Sequence, residues 1–139
     1  MTYRIEKDSM GEIKVESDKY WGAQTQRSLQ NFNIGNEVFP KEFIKAYSII
    51  KYVAAQINNN NNLVSDDIKN AIQEASNDVI NGKYDDQFPL VVWQTGSGTQ
   101  TNMNFNEVIA NIANEKLGNK LGVDNIVHPN DHVNRSQST

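Results

Sequence analysis

Phe105, Val108, Ile109, Ile112 and Ala113 recur at i, i+3, i+4, i+7 and i+8. That spacing lays one apolar stripe along an α-helix and does not suit the two-residue period of a strand. It is the strongest periodic signal in the chain. It demands a helix that follows Thr95–Thr99, ends at Leu117–Gly118 and buries its stripe against neighbours.

Two more helices are predicted upstream. Pro40 suits a first helical position, where its missing N–H costs nothing, and Phe43, Tyr47, Ile50, Ala54 and Ile57 follow at helical spacing. Ile44, Ile49 and Val53 widen that stripe, so this helix is expected to touch neighbours on two sides. Ser65 is the predicted cap of the next helix, with Asp66 and Asp67 at its dipole-favoured start and Ile68, Ala71, Ile72, Ala75 and Val79 on its apolar face. Asn81–Gly82 stops it. The run Asn58–Asn62 is expected to form the loop between the two helices, because asparagine competes with helical hydrogen bonding. Phe88–Trp93 is a short apolar run expected to be buried. Residues 1–38 read as an extended arm, with a hairpin around Ser9-Met10-Gly11 flanked by Tyr3–Glu6 and Glu12–Val15. The predicted fold is mainly α with a short extended or hairpin arm.

With 139 residues the chain suits one domain. It has no cysteine, which removes a disulfide scaffold, a thiolate zinc site and a cysteine nucleophile together. Thirteen Lys and Arg against 17 Asp and Glu leave a formal charge of −4, with no basic cluster, which argues against nucleic acid or an anionic membrane as partner. No apolar run approaches the roughly 20 residues that span a bilayer, and no apolar segment follows Met1–Arg4. A soluble, cytoplasmic protein with a small or protein partner is expected.

Two polar segments carry the chemistry. In Gln94-Thr95-Gly96-Ser97-Gly98-Thr99-Gln100-Thr101-Asn102, two glycines and several hydroxyls precede a helix start, whose unpaired N–H groups carry partial positive charge. These make a cradle for an anion without lysine or arginine; the same composition also suits a plain turn and helix cap. A phosphate-binding P-loop would end in Gly-Lys-Ser/Thr where this segment has Gly-Thr-Gln, and a dinucleotide fingerprint would need glycine where Thr101 stands. The anion is therefore expected to be a carboxylate or similarly small group. The second segment, His128–Thr139, holds both histidines at i, i+4. Pro129 pushes His128 out of the helical region, so the two rings do not share a helical face and no metal site is expected. An Asx-type turn capped by Asn130 or Asp131 is the simpler reading of its geometry.

Trp93–Asn104 with Asn106–Asn111, and His128–Asp131 with Ser136-Gln137-Ser138, resemble the class II fumarases of the fumarase/aspartase superfamily. So do Glu6–Gly11 and Tyr20–Leu29 in the arm. The similarity covers essentially the whole chain. It implies a helical, three-domain, cofactor-free enzyme hydrating fumarate to malate in the tricarboxylic acid cycle, assembled as a homotetramer. Residues 1–139 would be its amino-terminal domain, with the central helix bundle and carboxy-terminal domain outside this chain. By the resemblance, Ser97, Gly98 and Thr99 form one substrate-carboxylate segment, and Ser138 and Thr139 begin another. His128, Pro129, Asn130 and Asp131 map onto a peripheral dicarboxylate site whose usual arginine aligns near Asn125. The family's catalytic serine and histidine lie in later segments, so no catalytic residue is expected here and the isolated chain should be inactive. Ile112, His132 and Thr139 lean toward the aspartase branch, which keeps an aspartate ammonia-lyase domain as the alternative. Gly96–Gln100 and His128 favour fumarase.

Overall fold

The computed structural model describes residues 1–123 and 125–139. Its amino terminus is an antiparallel hairpin of β1 (Tyr3–Asp8) and β2 (Gly11–Glu16), with Tyr3 opposite Glu16 and Asp8 opposite Gly11. Four helices follow: α1 (Ala23–Asn31), α2 (Lys41–Asn60), α3 (Asp66–Ile80) and α4 (Thr99–Lys116). A 3₁₀ turn at Asp85–Gln87 precedes the buried Phe88 and Leu90, and a π-type turn at Pro129–Val133 closes the carboxy-terminal segment.

α4 is the centre of the molecule. α1, α3 and the π-type turn all pack on it, and α2 pairs with α3. Phe105, Val108, Ile109, Ile112 and Ala113 are each at most 1 % exposed, as their spacing requires. The helix goes further and buries its polar faces as well. Asn104 donates to the Gln87 carbonyl, Asn111 to the Tyr20 carbonyl, and Asn114 exchanges two hydrogen bonds with the backbone of Val127. Buried amides of this kind are tolerated because they are satisfied, and each ties one connecting segment to the central helix. Around Phe105, the rings of Tyr47 and Phe88 lie 4.3 and 4.4 Å away by centroid.

α3 forms as its sequence dictates. Ser65 accepts from the Ile68 N–H at the start, Ala71, Ile72, Ala75 and Val79 are buried, and Gly82 takes φ +82 just past the end. α2 differs from its predicted pattern. Its buried face is Ile44, Ser48, Lys51, Ala55 and Asn58, while Ile49, Ile50, Val53 and Ile57 are exposed. Pro40 caps this helix from outside, its carbonyl accepting from Phe43 and Ile44. Asn58–Asn60 belong to the helix; the asparagine run ends it, with Asn61 as cap and Asn62 at φ 59. Asn58 stays helical because its amide reaches the Arg135 carbonyl at 2.8 Å, a long-range bond that overrides local propensity.

The arm is only partly extended. Residues 23–31 of the expected arm are helical, held to the hairpin by the Arg27 guanidinium, which meets both oxygens of Asp8 at 2.9 and 3.0 Å and keeps that carboxyl below its ordinary range. The run Phe88–Trp93 is likewise mixed. Val91 bridges to Val38, and Trp93 is 55 % exposed, its indole N–H donating to Glu37.

Candidate functional site

Gly98 sits at φ +79 as the residue before α4, a left-handed conformation that glycine adopts without strain and that turns the loop Thr95–Ser97 onto the helix axis. Gly98 has no side chain to cap α4, so the first-turn N–H groups are left to the loop, whose Ser97 hydroxyl accepts from the Thr99 N–H. The Thr99 N–H and the Ser97 hydroxyl lie 3.4 Å apart, and the two hydroxyls of these residues 3.3 Å.

The carboxy-terminal segment comes to this helix end. The Thr99 hydroxyl donates to the Thr139 carbonyl at 3.1 Å, and the Asn102 amide donates to the Ser138 carbonyl at 3.2 Å. Ser97, Gly98, Ser138 and Thr139 thus line one open cleft of about 380 Å³, walled by Phe39, Phe43 and Tyr47 and floored by Asn102. Two segments about 40 residues apart in sequence meet across it.

Beneath that cleft lies a residue that sequence reasoning missed. Lys51, on the inner face of α2, is 1 % exposed. Its ammonium donates to Asn102 at 2.7 Å, Gln137 at 2.9 Å and Asn134 at 3.1 Å, and lies 5.5 Å from the Tyr47 ring centroid. Burial lowers its pKa to about 8. The signal available was positional: Ile44, Ser48, Lys51, Ala55 and Asn58 share one helical face, but a stripe half polar does not register as hydrophobic periodicity.

On the other side of Thr99 and Thr139, a second cleft of about 430 Å³ is lined by His128, Pro129, Asn130 and Asn125. Asp131 is not part of that wall; it is exposed, with its carboxylate 3.6 Å from the His128 ring. The cap of this turn is His128 and not Asn130 or Asp131. His128 Nδ1 accepts from the N–H groups of Asn130 and Asp131 at 3.1 and 3.2 Å, while His132 Nδ1 accepts from the His128 N–H at 2.8 Å. Desolvation lowers the His132 pKa.

Glu107 faces the same cleft from α4 and was also missed. Its carboxylate accepts from the backbone N–H groups of Gly22, Gln24 (2.8 Å) and Thr25 (3.3 Å), which are the otherwise orphaned donors at the start of α1. Gly22 is required there by space: a Cβ would stand 2.9 Å from the Glu107 carboxylate. Burial drives the Glu107 pKa up to about 7 against the pull of those N–H donors.

Residues 11–139 match a family model described as lyase. The chain is 60 % identical over 141 residues to a class II fumarate hydratase of Thermus thermophilus and 56 % identical over 139 residues to one of Campylobacter jejuni. In each case all of this chain is covered, and it spans about 30 % of the relative's length. A class II fumarase from Schistosoma mansoni superposes with TM-score 0.92 at 45 % identity, over 96 % of this chain and 28 % of that one. A native fumarate lyase:delta crystallin structure from Brucella melitensis gives 0.94 at 40 %, over 98 % and 31 %.

Proposed function

Since the chain belongs to the lyase family, we propose that it is the amino-terminal part of a class II fumarate hydratase, which reversibly adds water to fumarate to give (S)-malate in the tricarboxylic acid cycle. The observation that carries this reading is the meeting of Ser97 and Gly98, at the start of α4, with Ser138 and Thr139 across one cleft, the two sides tied by the Thr99 hydroxyl to the Thr139 carbonyl. Ser97, Gly98, Thr99, Ser138 and Thr139 are its substrate-carboxylate contacts. The His128–Asn130 wall, with Asp131 beside it, is the peripheral dicarboxylate site.

The chemistry accounts for these residue types. Hydration passes through a carbanion whose charge spreads onto the neighbouring carboxylate, so the enzyme must stabilise extra negative charge on carboxylate oxygens. Backbone N–H groups and hydroxyls fixed at a helix start do this without reorganising as the charge develops. Proton abstraction needs a base near the substrate, which these loops do not supply; in the reading proposed here, later segments of the enzyme contribute it. The homotetrameric assembly, the cytoplasmic location and the truncation relative to the complete enzyme belong to the same proposal. Among the described residues no helix is long and apolar enough to cross a membrane.

The test is product analysis of the full-length protein supplied with fumarate, with and without ammonia. Malate in both mixtures is expected. Aspartate formed only with ammonia would transfer the chain to the aspartase branch, and residues 1–139 assayed alone should yield neither.

The peripheral segment makes a separate prediction. Asparagine is a good helix cap, so His128→Asn keeps an acceptor for the Asn130 and Asp131 N–H groups. Turnover of fumarate should stay within about twofold of wild type and stability within about 1 kcal/mol. A collapse in rate, measured alongside an unchanged melting curve, would put His128 in the reaction site instead.

A further inference from the structure

Lys51 is a full positive charge withdrawn from water and surrounded by neutral acceptors. Its three ammonium protons are matched by three side-chain amide oxygens, those of Asn102, Asn134 and Gln137. Hydrogen bonding is therefore complete, but charge is not. Among the described residues no carboxylate lies within ion-pair distance of Lys51, although six other lysines and arginines of the chain have one: Arg4, Lys19, Arg27, Lys41, Lys83 and Lys116. All six keep more solvent access than Lys51, and the fully buried cation is the one left without a counter-charge, where its absence costs most.

The placement of this charge gives it a use. Asn102 accepts from Lys51 and from the Tyr47 hydroxyl on its oxygen, and its amide nitrogen donates to Asn134 and to the Ser138 carbonyl. Asn134 in turn donates to that same carbonyl at 3.3 Å. The web runs from the Lys51 ammonium to the backbone that carries Ser138 and Thr139, and Asn102 and Tyr47 themselves line the cleft. One residue layer separates the buried cation from the space where an anion would sit.

We propose that Lys51 is the positioning residue of the carboxylate cleft: it locks the Asn102–Asn134–Ser138 web from below and supplies the fixed charge whose partner is one carboxylate of a bound dicarboxylate. It does not touch that carboxylate. The inference rests on the reading of the cleft as a carboxylate site, and it adds that the cleft's positive potential comes from a lysine as well as from the start of α4.

The experiment uses the full-length protein, with succinate as a non-reacting probe. Lys51→Met keeps most of the apolar stem and removes the charge with its three hydrogen bonds. A unit charge acting through one protein layer should weaken the succinate inhibition constant and raise the fumarate KM by roughly tenfold, with a smaller fall in kcat. A role confined to packing would lower the melting temperature and leave the succinate constant within about twofold of wild type, and that result overturns the proposal. Should the variant not fold, lysine side-chain NMR of the wild type decides: saturation with succinate should shift the Lys51 ammonium signal, and an unmoved signal refutes the role. Wild type that hydrates fumarate while Lys51 is unresponsive sinks this inference alone. Wild type that neither hydrates fumarate nor binds succinate sinks the reading of the cleft, and this inference with it.

Discussion

Thr99→Ala in the full-length enzyme should lower turnover of fumarate by roughly 10²-fold, the usual consequence of removing one preorganised donor from a developing negative charge. Thr99 stands at the first position of α4 and is only half buried, so the substitution removes no core packing. Alanine is also a good helix former, and stability should change by no more than about 0.5 kcal/mol. The methyl group of the threonine is not what matters. Its hydroxyl gives its one proton to the Thr139 carbonyl at 3.1 Å, so its loss loosens the opposing loop and removes a donor for which a bound carboxylate would compete. Thr99→Ser, which keeps the hydroxyl, should recover most of the rate. Steady-state kinetics beside a thermal melt separates the outcomes: unchanged kcat and KM in the alanine variant would remove this loop from the site, whereas a lost rate with a lost melt would make it structural.

The loop half of this candidate site was legible because its parts are local, whereas Ser138 and Thr139, about 40 residues on, entered only through the family resemblance. A glycine that must turn a loop onto a helix, hydroxyls beside it and a clean 3.6-residue stripe behind it all lie within 20 residues, and α3 and α4 follow from the same kind of pattern. The parts that were not legible depend on contacts between distant positions. α1 carries almost no apolar stripe, since Ala23, Thr25 and Ser28 are what it buries, and its start is satisfied by Glu107, more than 80 residues on. The face of α2 could not be assigned from hydrophobicity, because burial there follows Lys51 and Asn58, whose partners lie in the carboxy-terminal segment. His128 replaced its neighbours as the cap because a ring nitrogen two and three residues upstream can accept both N–H groups together.

Glu107→Ala should be the most destabilising single change considered, by roughly 3–5 kcal/mol, a large part of what holds a domain of this size together. It strips the acceptor from three N–H donors at the start of α1 and opens a void beside Gly22, whose missing side chain exists to admit that carboxylate. At about 3–5 °C per kcal/mol the melting point should fall by 10 °C or more, and a fall below about 3 °C would show that α1 does not depend on this cap. Glu107→Gln gives a second, sharper reading through pH. The folded carboxyl titrates near 7 and the unfolded one near 4.5, so its contribution to stability is complete below 4.5 and is lost as pH rises through 7. His132, whose pKa burial lowers, acts in the opposite sense: its contribution is present above 6.5 and is lost as pH falls. That histidine is common to both proteins, so the difference in unfolding free energy between wild type and Glu107→Gln isolates the carboxyl. Wild type should lose ground to the variant steadily from pH 4.5 to 7, and a difference that stays flat across that interval would mean that the buried carboxyl ionises in the folded chain as readily as in the unfolded one.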